Sequence, residues 1–311
     1  MVIPVAVIGV GYLGRHHARL LRDLPEAELI GVVDQDLDRA RKVASEFSVA
    51  AFPTLEALPD RVRAVTVAVP TASHRDVARR GLARGWDLMV EKPLAASVSE
   101  GRSMVEESEA RGILLQVGHT ERFNPAVRAA WPRIVRPRFI EAHRLGTFPG
   151  RSLDVDVILD LMIHDLDLIL SLDGGEVESV LAVGVKALTD KMDIANARIR
   201  FHSGCVANLT ASRISTDRTR KIRIFQADSY LGIDTAEQEV VHYRLDRDAG
   251  TTPRIVQVSA PVAKEEPLKV ELAAFLESVR NRRRPIVDGR DGLAALALAE
   301  SVRHAIEKGG S

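Results

Sequence analysis

A glycine-rich turn near the start of the chain has the spacing of a dinucleotide-binding loop. Gly9, Gly11 and Gly14 form a GxGxxG pattern between an apolar run that predicts a β-strand and a pattern that predicts a helix. The first glycine permits a tight turn, the second lets the backbone approach a pyrophosphate, and the third allows close packing of helix on strand. Tyr12 and Leu13 begin that helix, whose first N–H groups are suited to holding phosphates.

An acidic residue stands where the ribose of such a nucleotide binds. Asp34 ends the second apolar run, about 20 residues after the glycine pattern, where a carboxylate binds the ribose hydroxyls of NAD. Since a carboxylate repels a 2′-phosphate, NAD is the expected cofactor. Gln35 and Arg39 keep NADP as the alternative, because a nearby arginine accommodates the additional phosphate.

A loop rich in small polar residues follows the next predicted strand. It contains Pro70, Thr71 and His74, at the edge where open α/β sheets bind ligands. These residues are therefore candidates for cofactor contacts. Capping of the following helix by Thr71 or Ser73 explains the same segment without any ligand.

A second loop at that edge reads Glu91-Lys92-Pro93, in which Glu91 and Lys92 are candidate cofactor contacts. A residue before proline is held in an extended backbone, and an ammonium group at the mouth of a cofactor cleft can meet a substrate hydroxyl. The alternative is an exposed lysine of no consequence.

A polar stripe marks the most apolar helical segment, residues 154 to 171. Asp156, Asp160, His164 and Asp167 fall within about 80° of one another at ~100° per residue. Asp160 and His164 have the i, i+4 spacing at which a carboxylate orients an imidazole, although a satisfied structural pair has the same spacing. No second His or Cys stands at metal-ligand spacing, so we expect no metal.

Two kinds of element pattern divide the chain near residue 120. Strands and helices alternate before that point, which predicts a parallel sheet with helices on both faces. Strands with short connections dominate afterwards, which predicts a mostly antiparallel sheet. The expected fold class is therefore α/β: an N-terminal Rossmann fold plus a C-terminal α+β domain with a large open sheet. We expect domains at residues 1–120 and 121–287, with a last helix at 288–308 that packs back on the first.

The composition excludes several classes of function. The 311 residues include 43 Lys+Arg and 43 Asp+Glu, so the formal net charge is zero, which favours neither nucleic-acid nor membrane-surface binding. The single cysteine, Cys205, allows no intramolecular disulfide and no cysteine metal cluster. Neither a secretory leader nor a membrane span is indicated, so we expect a cytoplasmic protein.

These motifs together resemble those of the glucose-fructose oxidoreductase / inositol dehydrogenase (Gfo/Idh/MocA) family of NAD(P)-dependent sugar oxidoreductases. The resemblance covers essentially the whole chain and is most specific at Glu91-Lys92-Pro93. It implies an active site in which Lys92 acts with Asp160 and His164. It also implies homo-oligomers, tetramers or dimers, formed through the open sheet. The glycine-rich segment that many relatives have before the catalytic helix is absent, which weakens any transfer of their substrates.

Residues 116–125, 143–146 and 193–197 resemble those of family members that oxidise the C3 hydroxyl of UDP-N-acetylglucosamine. In the pathway that this resemblance implies, a PLP-dependent aminotransferase then adds a 3-amino group for lipid A. A nucleotide-sugar diphosphate needs local cations because the net charge is zero, although any single arginine is more often a surface residue or part of a structural ion pair. Alternatives are the corresponding uronate 3-dehydrogenase, another sugar or inositol dehydrogenase, and a non-catalytic NAD-binding sensor. The candidate substrate contacts are Arg122, Asn124, Arg144, Arg151 and Arg213, and Gln116 is a candidate cofactor contact.

The expected chemistry is hydride transfer from the sugar to NAD. His164 is the expected general base, since an imidazole with a pKa of ~6.5 suits that task near neutral pH. Asp160 orients it, and Lys92 donates a hydrogen bond to the reacting oxygen or relays its proton. The sequence leaves open which of Lys92 and His164 is the immediate base.

Overall fold

The computed structural model of the protein describes residues 2–148, 155–173, 175–247 and 253–309. The chain divides into two compact units. Unit 1 comprises Met1–Thr120 and Glu266–Leu296, and unit 2 comprises Glu121–Glu265 and Ala297–Ser311. None of the helices in the described ranges is long and apolar enough to span a membrane.

Unit 1 is built on a six-stranded sheet in which every pairing is parallel. The strand order is β3-β2-β1-β4-β5-β6, so the direction of winding reverses between β1 and β4, the switch point at which doubly wound sheets bind ligands. The near-continuous apolar runs are explained by burial on both faces. The strands are β1 (Ile3–Ile8), β2 (Ala27–Val33), β3 (Ala50–Phe52), β4 (Ala64–Val67), β5 (Asp87–Glu91) and β6 (Leu115–Gly118).

The helices between these strands are α1 (Tyr12–Asp23), α2 (Leu37–Phe47), α3 (His74–Ala83) and α4 (Val98–Ala110). Each connects one parallel strand to another, which confirms the expected Rossmann architecture.

A later helix, α7 (Pro267–Asn281), belongs to unit 1. Its residues Leu272, Phe275 and Leu276 are buried in one core with Val5 and Leu21. The sequence pattern predicted that residues 121–287 belong to the second domain. The difference arises because an apolar helix face does not reveal which sheet it will cover. The final helix, α8 (Gly289–Gly309), is likewise divided between unit 1 and unit 2 after Leu296.

Unit 2 contains an eight-stranded open sheet, β14-β13-β12-β11-β7-β10-β9-β8. Only the β7–β10 pair is parallel among the pairings of this sheet in the described residues. This arrangement confirms the expected mostly antiparallel sheet. Its strands are β7 (Phe139–Leu145), β8 (Val177–Val185), β9 (Ile194–Phe201), β10 (Val206–Ser212), β11 (Thr219–Phe225), β12 (Ser229–Asp234), β13 (Glu239–Asp246) and β14 (Arg254–Val258).

The apolar helical segment of unit 2 is not uniformly α-helical. It begins with a π-helical turn, Ile158–Met162, and continues as α6 (Ile163–Asp173). The Ile163 N–H donates to the carbonyl of Ile158, five residues earlier. Such wide turns inside helices are rare and are frequent at functional sites. The short helix α5 (Pro125–Ala130) completes the unit.

Candidate cofactor and catalytic sites

The glycine loop of unit 1 has the geometry that the GxGxxG spacing predicts. Gly9 has a φ of +83°, which favours glycine. A Cβ on Gly14 would lie 1.8 Å from the Gly9 carbonyl oxygen, whereas a Cβ on Gly11 would meet nothing within 4 Å. The backbone is therefore tightly packed at the third glycine and open at the second, as close approach of a pyrophosphate requires.

The start of α1 is suited to an anion. Gly11 is the N-cap residue, no side chain caps the helix, and no acidic residue occupies its first turn. Tyr12 and Leu13 are exposed at this end. The first turn of α1 is thus suited to binding phosphate oxygens.

Asp34 is bound directly to the glycine loop. Its Oδ2 accepts from the Val10 N–H at 2.9 Å, and Arg39 donates to Oδ1 at 3.3 Å. Arg39 also pairs with Asp36 at 3.1 Å, so two carboxylates offset the cation that a 2′-phosphate would need. The residues fit NAD better than NADP, and Gln35 is exposed beside them.

The loop after β4 is held to the Glu91-Lys92-Pro93 loop by a buried imidazole. His74 Nδ1 lies 2.9 Å from the Pro93 carbonyl oxygen, and Nε2 lies 2.9 Å from that of Val69. Desolvation by burial lowers the pKa of His74. Each ring nitrogen faces a backbone carbonyl oxygen, to which the protonated nitrogen donates, so His74 connects two loops rather than presenting a nitrogen to a ligand. Pro70 is exposed, Thr71 is half-buried, and Ser73 provides no side-chain cap for α3.

Glu91 is bound to α1 by a residue that the sequence analysis missed. His17 Nε2 lies 3.0 Å from Glu91 Oε1, and both side chains are buried. Glu91 Oε2 also accepts from the Lys92 N–H at 3.3 Å. Burial opposes ionisation of Glu91, but the hydrogen bond from His17 and the charges of His17 and Lys92 hold its pKa below the ordinary value. The signal in the sequence was a histidine on the apolar face of α1, three residues after Gly14.

Lys92 itself is half-buried at the end of β5, and its peptide bond to Pro93 is cis. Gln116, in contrast, is completely buried. Its Nε2 donates to the Glu271 carbonyl oxygen of α7 at 3.4 Å. The expectation that Gln116 contacts the cofactor is corrected, because α7 engages its amide group inside unit 1.

Asp160 lies in the π-helical turn of unit 2, and His164 lies in the first turn of α6. Both side chains are half-buried. The other members of the polar stripe have structural partners: Asp156 accepts from the Ile158 and Leu159 N–H groups, and Asp167 pairs with Arg122. Asp160 and His164 are the less buried members of the stripe, since Asp156 and Asp167 are only 8% and 1% exposed. No group of three or more His, Cys, Asp or Glu in the described ranges is arranged to hold a metal ion.

The arginines expected to bind a substrate diphosphate are committed to internal carboxylates. Arg122 donates to both oxygens of Asp167, at 2.7 and 3.0 Å. Arg144 donates to both oxygens of Asp165, at 3.0 and 2.7 Å, and to Glu121. Their assignment as substrate ligands is corrected: buried guanidinium groups with such partners are structural ion pairs.

Two more candidates have structural roles in unit 2. Arg213 is 1% exposed and donates to Asp193 at 2.9 Å and to the Val155 carbonyl oxygen at 2.9 Å. Asn124 caps α5 by accepting from the Ala126 N–H at 3.0 Å. The expectation that Arg213 and Asn124 bind the substrate is therefore also corrected. Arg151 lies outside the described residues.

Comparisons with known proteins agree with this architecture. The model of an oxidoreductase family with an NAD-binding Rossmann fold, Gfo/Idh/MocA, matches residues 3–119, and that of its C-terminal α/β domain matches residues 156–311. The chain is 40% identical over 305 residues to UDP-N-acetylglucosamine 3-dehydrogenase of Acidithiobacillus ferrooxidans, covering 97% of this chain and 96% of the relative. A solved structure of that enzyme gives a TM-score of 0.92 at 38% identity and covers 99% of both chains.

A more distant relative is scyllo-inositol 2-dehydrogenase (NAD(+)) of Bacillus subtilis. It is 28% identical over 328 residues, covering 99% of this chain and 95% of the relative. The matches thus extend through both units. With a glycine loop and Asp34 that fit NAD, this chain belongs to the Gfo/Idh/MocA family of NAD-dependent oxidoreductases.

Proposed function

We propose that this protein oxidises the C3 hydroxyl of UDP-N-acetylglucosamine with NAD and releases the 3-keto nucleotide sugar. The observation that carries the proposal is the 40% identity, over 97% of the chain, to an enzyme named for that activity. Lys92, Asp160 and His164 are all present in this sequence. A non-catalytic NAD sensor would need neither an acid nor a base.

The residues of unit 1 bind and orient the cofactor. The N–H groups of the Gly9–Gly14 loop and of the start of α1 hold its diphosphate, and Asp34 accepts from the ribose hydroxyls. When bound, NAD supplies the acceptor for the hydride that leaves C3. His74 and Glu91 keep the two neighbouring loops in place through their buried hydrogen bonds.

The remaining step is removal of the hydroxyl proton. His164 accepts it as general base, and Asp160 orients the imidazole. Lys92 donates a hydrogen bond to the oxygen and stabilises the charge that develops on it. In the alternative assignment Lys92 is the immediate base and His164 receives the proton from it. The pH profiles of kcat for Lys92→Arg and His164→Gln distinguish the two assignments, because the limb that disappears belongs to the base.

The test is turnover with a panel of substrates. The purified full chain is incubated with NAD and UDP-N-acetylglucosamine, its uronate, UDP-glucose or myo-inositol, and NADH formation is followed. Mass spectrometry identifies a product that has lost two hydrogens. Fastest turnover of UDP-N-acetylglucosamine supports the proposal, and faster turnover of the uronate or of myo-inositol overturns it. Cofactor binding without turnover of any compound would favour the sensor.

Three further properties belong to the same proposal. The 3-keto product is a substrate for a PLP-dependent aminotransferase that adds the 3-amino group for lipid A, and the reaction takes place in the cytoplasm. The enzyme is a homo-oligomer, a tetramer or a dimer, formed through the open sheet of unit 2. Leu181 and Val183 of β8 support this, since they are 68% and 66% exposed and contiguous exposed apolar surface favours association.

A further inference from the structure

A group of arginines surrounds a cleft in unit 2 that contains none of the residues assigned above. The cleft has a volume of about 830 Å³ and lies between residues 133–138, the turn from β11 to β12, and the end of β13. The chain as a whole has no net charge, so a local excess of cations favours an anion at this place. Its charged lining is Arg133, Arg136, Arg138, Arg244, Arg247 and Asp228.

These five arginines form no ion pair with any of the residues that the structure describes. In the described part of the chain none of them lies within ion-pair distance of a carboxylate. Arg133 donates instead to the Ala129 carbonyl oxygen. By contrast, Arg144 and Arg213 of the same unit each bind buried carboxylates. Apart from Arg133, the guanidinium groups of the cleft have no ion-pair or hydrogen-bond partner among the described residues and can donate to a ligand.

A buried histidine provides a second, independent observation. His242 of β13 lines the cleft and is 8% exposed. Its Nδ1 is buried, and no described residue forms a hydrogen bond with it. A buried polar atom without a partner is costly, so the imidazole has unused hydrogen-bonding capacity beside these arginines.

The charged groups around His242 also favour an anion in the cleft. Desolvation lowers the pKa of His242, and Arg133, from the segment after α5, and Arg244, from its own strand, lower it further. Asp228, in the turn from β11 to β12, acts in the opposite direction. An anion between the two arginines would reverse their effect and favour the protonated imidazole.

We propose that this cleft binds a phosphate-bearing anion, held by Arg138, Arg244 and His242. Guanidinium groups donate in a planar fork that matches phosphate oxygens. A single carboxylate would need only one such fork, whereas several arginines around one cleft suit the higher charge of a phosphate or diphosphate. The site is distinct from the candidate active site, because no residue of the 155–173 segment lines it.

Calorimetry with pyrophosphate on the full chain tests the site directly. Arg138→Ala and Arg244→Ala should each weaken binding by about tenfold, the loss expected for one charge-assisted contact. Arg223→Ala is the matched control, since Arg223 is exposed on the same sheet and pairs with Glu141 at 3.0 Å. Undetectable binding by the wild type, or equal affinity in all three variants, would overturn the proposal.

Two additional ligands distinguish the sources of the phosphate. Because the proposed substrate site also binds UDP, only the UDP binding that Arg138→Ala and Arg244→Ala remove is assigned to the cleft. That component should be at least as tight as the binding of pyrophosphate if a nucleotide is the source, and weaker if a free diphosphate is. Uridine, which lacks phosphate, should not bind in the cleft in either case. If Arg138→Ala bound uridine more weakly than the wild type does, the cleft would not be specific for phosphate.

The role of His242 is tested with sulfate, whose charge is constant between about pH 5 and pH 8, where histidine titrates. Sulfate affinity of the wild type should increase as the pH falls, and His242→Gln should remove that dependence. The imidazole resonances of His242 in NMR spectra should show a higher pKa with sulfate present. An unchanged pKa of His242 in saturating sulfate would refute its contact with the anion.

Discussion

His17 of the glycine-loop helix and Glu91 of the Glu91-Lys92-Pro93 loop form a buried pair, with 3.0 Å between Nε2 and Oε1. The second carboxylate oxygen of Glu91 accepts from the Lys92 backbone N–H at 3.3 Å. The same carboxylate thus contacts the helix that begins at the glycine loop and the backbone of the expected catalytic lysine. A carboxylate held this way is suited to position Lys92.

Glu91→Gln should lower kcat by about tenfold, because a neutral amide holds His17 and the Lys92 backbone less firmly. The KM for NAD should change little, since Glu91 lies outside the glycine loop. Steady-state kinetics measure both values, and Glu106→Gln on the exposed side of α4 is the control. Unchanged kcat in a folded Glu91→Gln protein would show that the pair is structural only.

The two glycines of the cofactor loop should respond differently to alanine. Gly14→Ala places Cβ against the Gly9 carbonyl oxygen, so it should destabilise the fold by about 1 to 3 kcal/mol and weaken NAD binding. Gly11→Ala meets no neighbouring atom and should change stability by less than about 0.5 kcal/mol, while still obstructing the pyrophosphate. Urea unfolding and NAD titration measure the two quantities. Normal NAD affinity in Gly11→Ala would argue against the proposed cofactor position.

The local features of both units could be predicted from the sequence. The Val- and Ile-rich runs predicted the buried parallel strands, and the GxGxxG spacing predicted the loop at β1 because each glycine answers a steric requirement within a few residues. The i, i+4 spacing also placed Asp160 and His164 in one helical segment. The π-helical turn was not predicted, since an apolar pattern does not reveal where a helix widens.

The partners of the arginines could not be predicted, because they are distant in the sequence. Arg144 forms ion pairs with Asp165 and Glu121, and Arg213 forms one with Asp193. Residue types near an expected cleft suggested a diphosphate site, but only the tertiary fold shows which guanidinium groups are already neutralised. The assignment of α7 to unit 1 likewise depends on tertiary packing, which the sequence does not show.

Arg144→Ala should destabilise the protein strongly without a specific effect on the substrate. Asp165 and Glu121 would remain as buried carboxylates without a counter-ion, at a cost of about 3 to 5 kcal/mol. Arg223→Ala, which removes an exposed pair with Glu141, should cost no more than about 1 kcal/mol. Urea unfolding measures the free energy of unfolding of both variants. Full stability of Arg144→Ala with a raised KM for the nucleotide sugar would return Arg144 to the substrate site.

Acid should weaken unit 2 through Asp193. Burial opposes its ionisation, but the N–H groups of Leu188, Thr189 and Ala187 and the Thr189 hydroxyl hold its pKa well below the ordinary range. A lowered folded-state pKa contributes stability above the unfolded value of about 4, and this contribution is lost as the pH falls through the folded value.

Asp193→Asn should lower the free energy of unfolding by about 2 to 3 kcal/mol at neutral pH. This difference in unfolding free energy from the wild type should become smaller below about pH 4. Unfolding free energies measured across that range provide the test. Asp217→Asn, at an exposed position, serves as the control and should follow the wild-type curve. A difference between Asp193→Asn and the wild type that stays constant down to the lowest pH would contradict the assignment.

The exposed side of β8 predicts how the oligomer can be disrupted. Leu181 and Val183 alternate with less exposed neighbours along the strand, so their side chains share the face that we expect a second copy to cover. Leu181→Asp with Val183→Asp should therefore lower the molecular mass in sedimentation experiments, because two carboxylates would be buried at the interface. Leu188→Asp, at a residue that is also exposed but lies beyond the strand, should leave the assembly intact. A monomeric wild type at micromolar concentration, or an intact assembly in the double variant, would exclude this face as the interface.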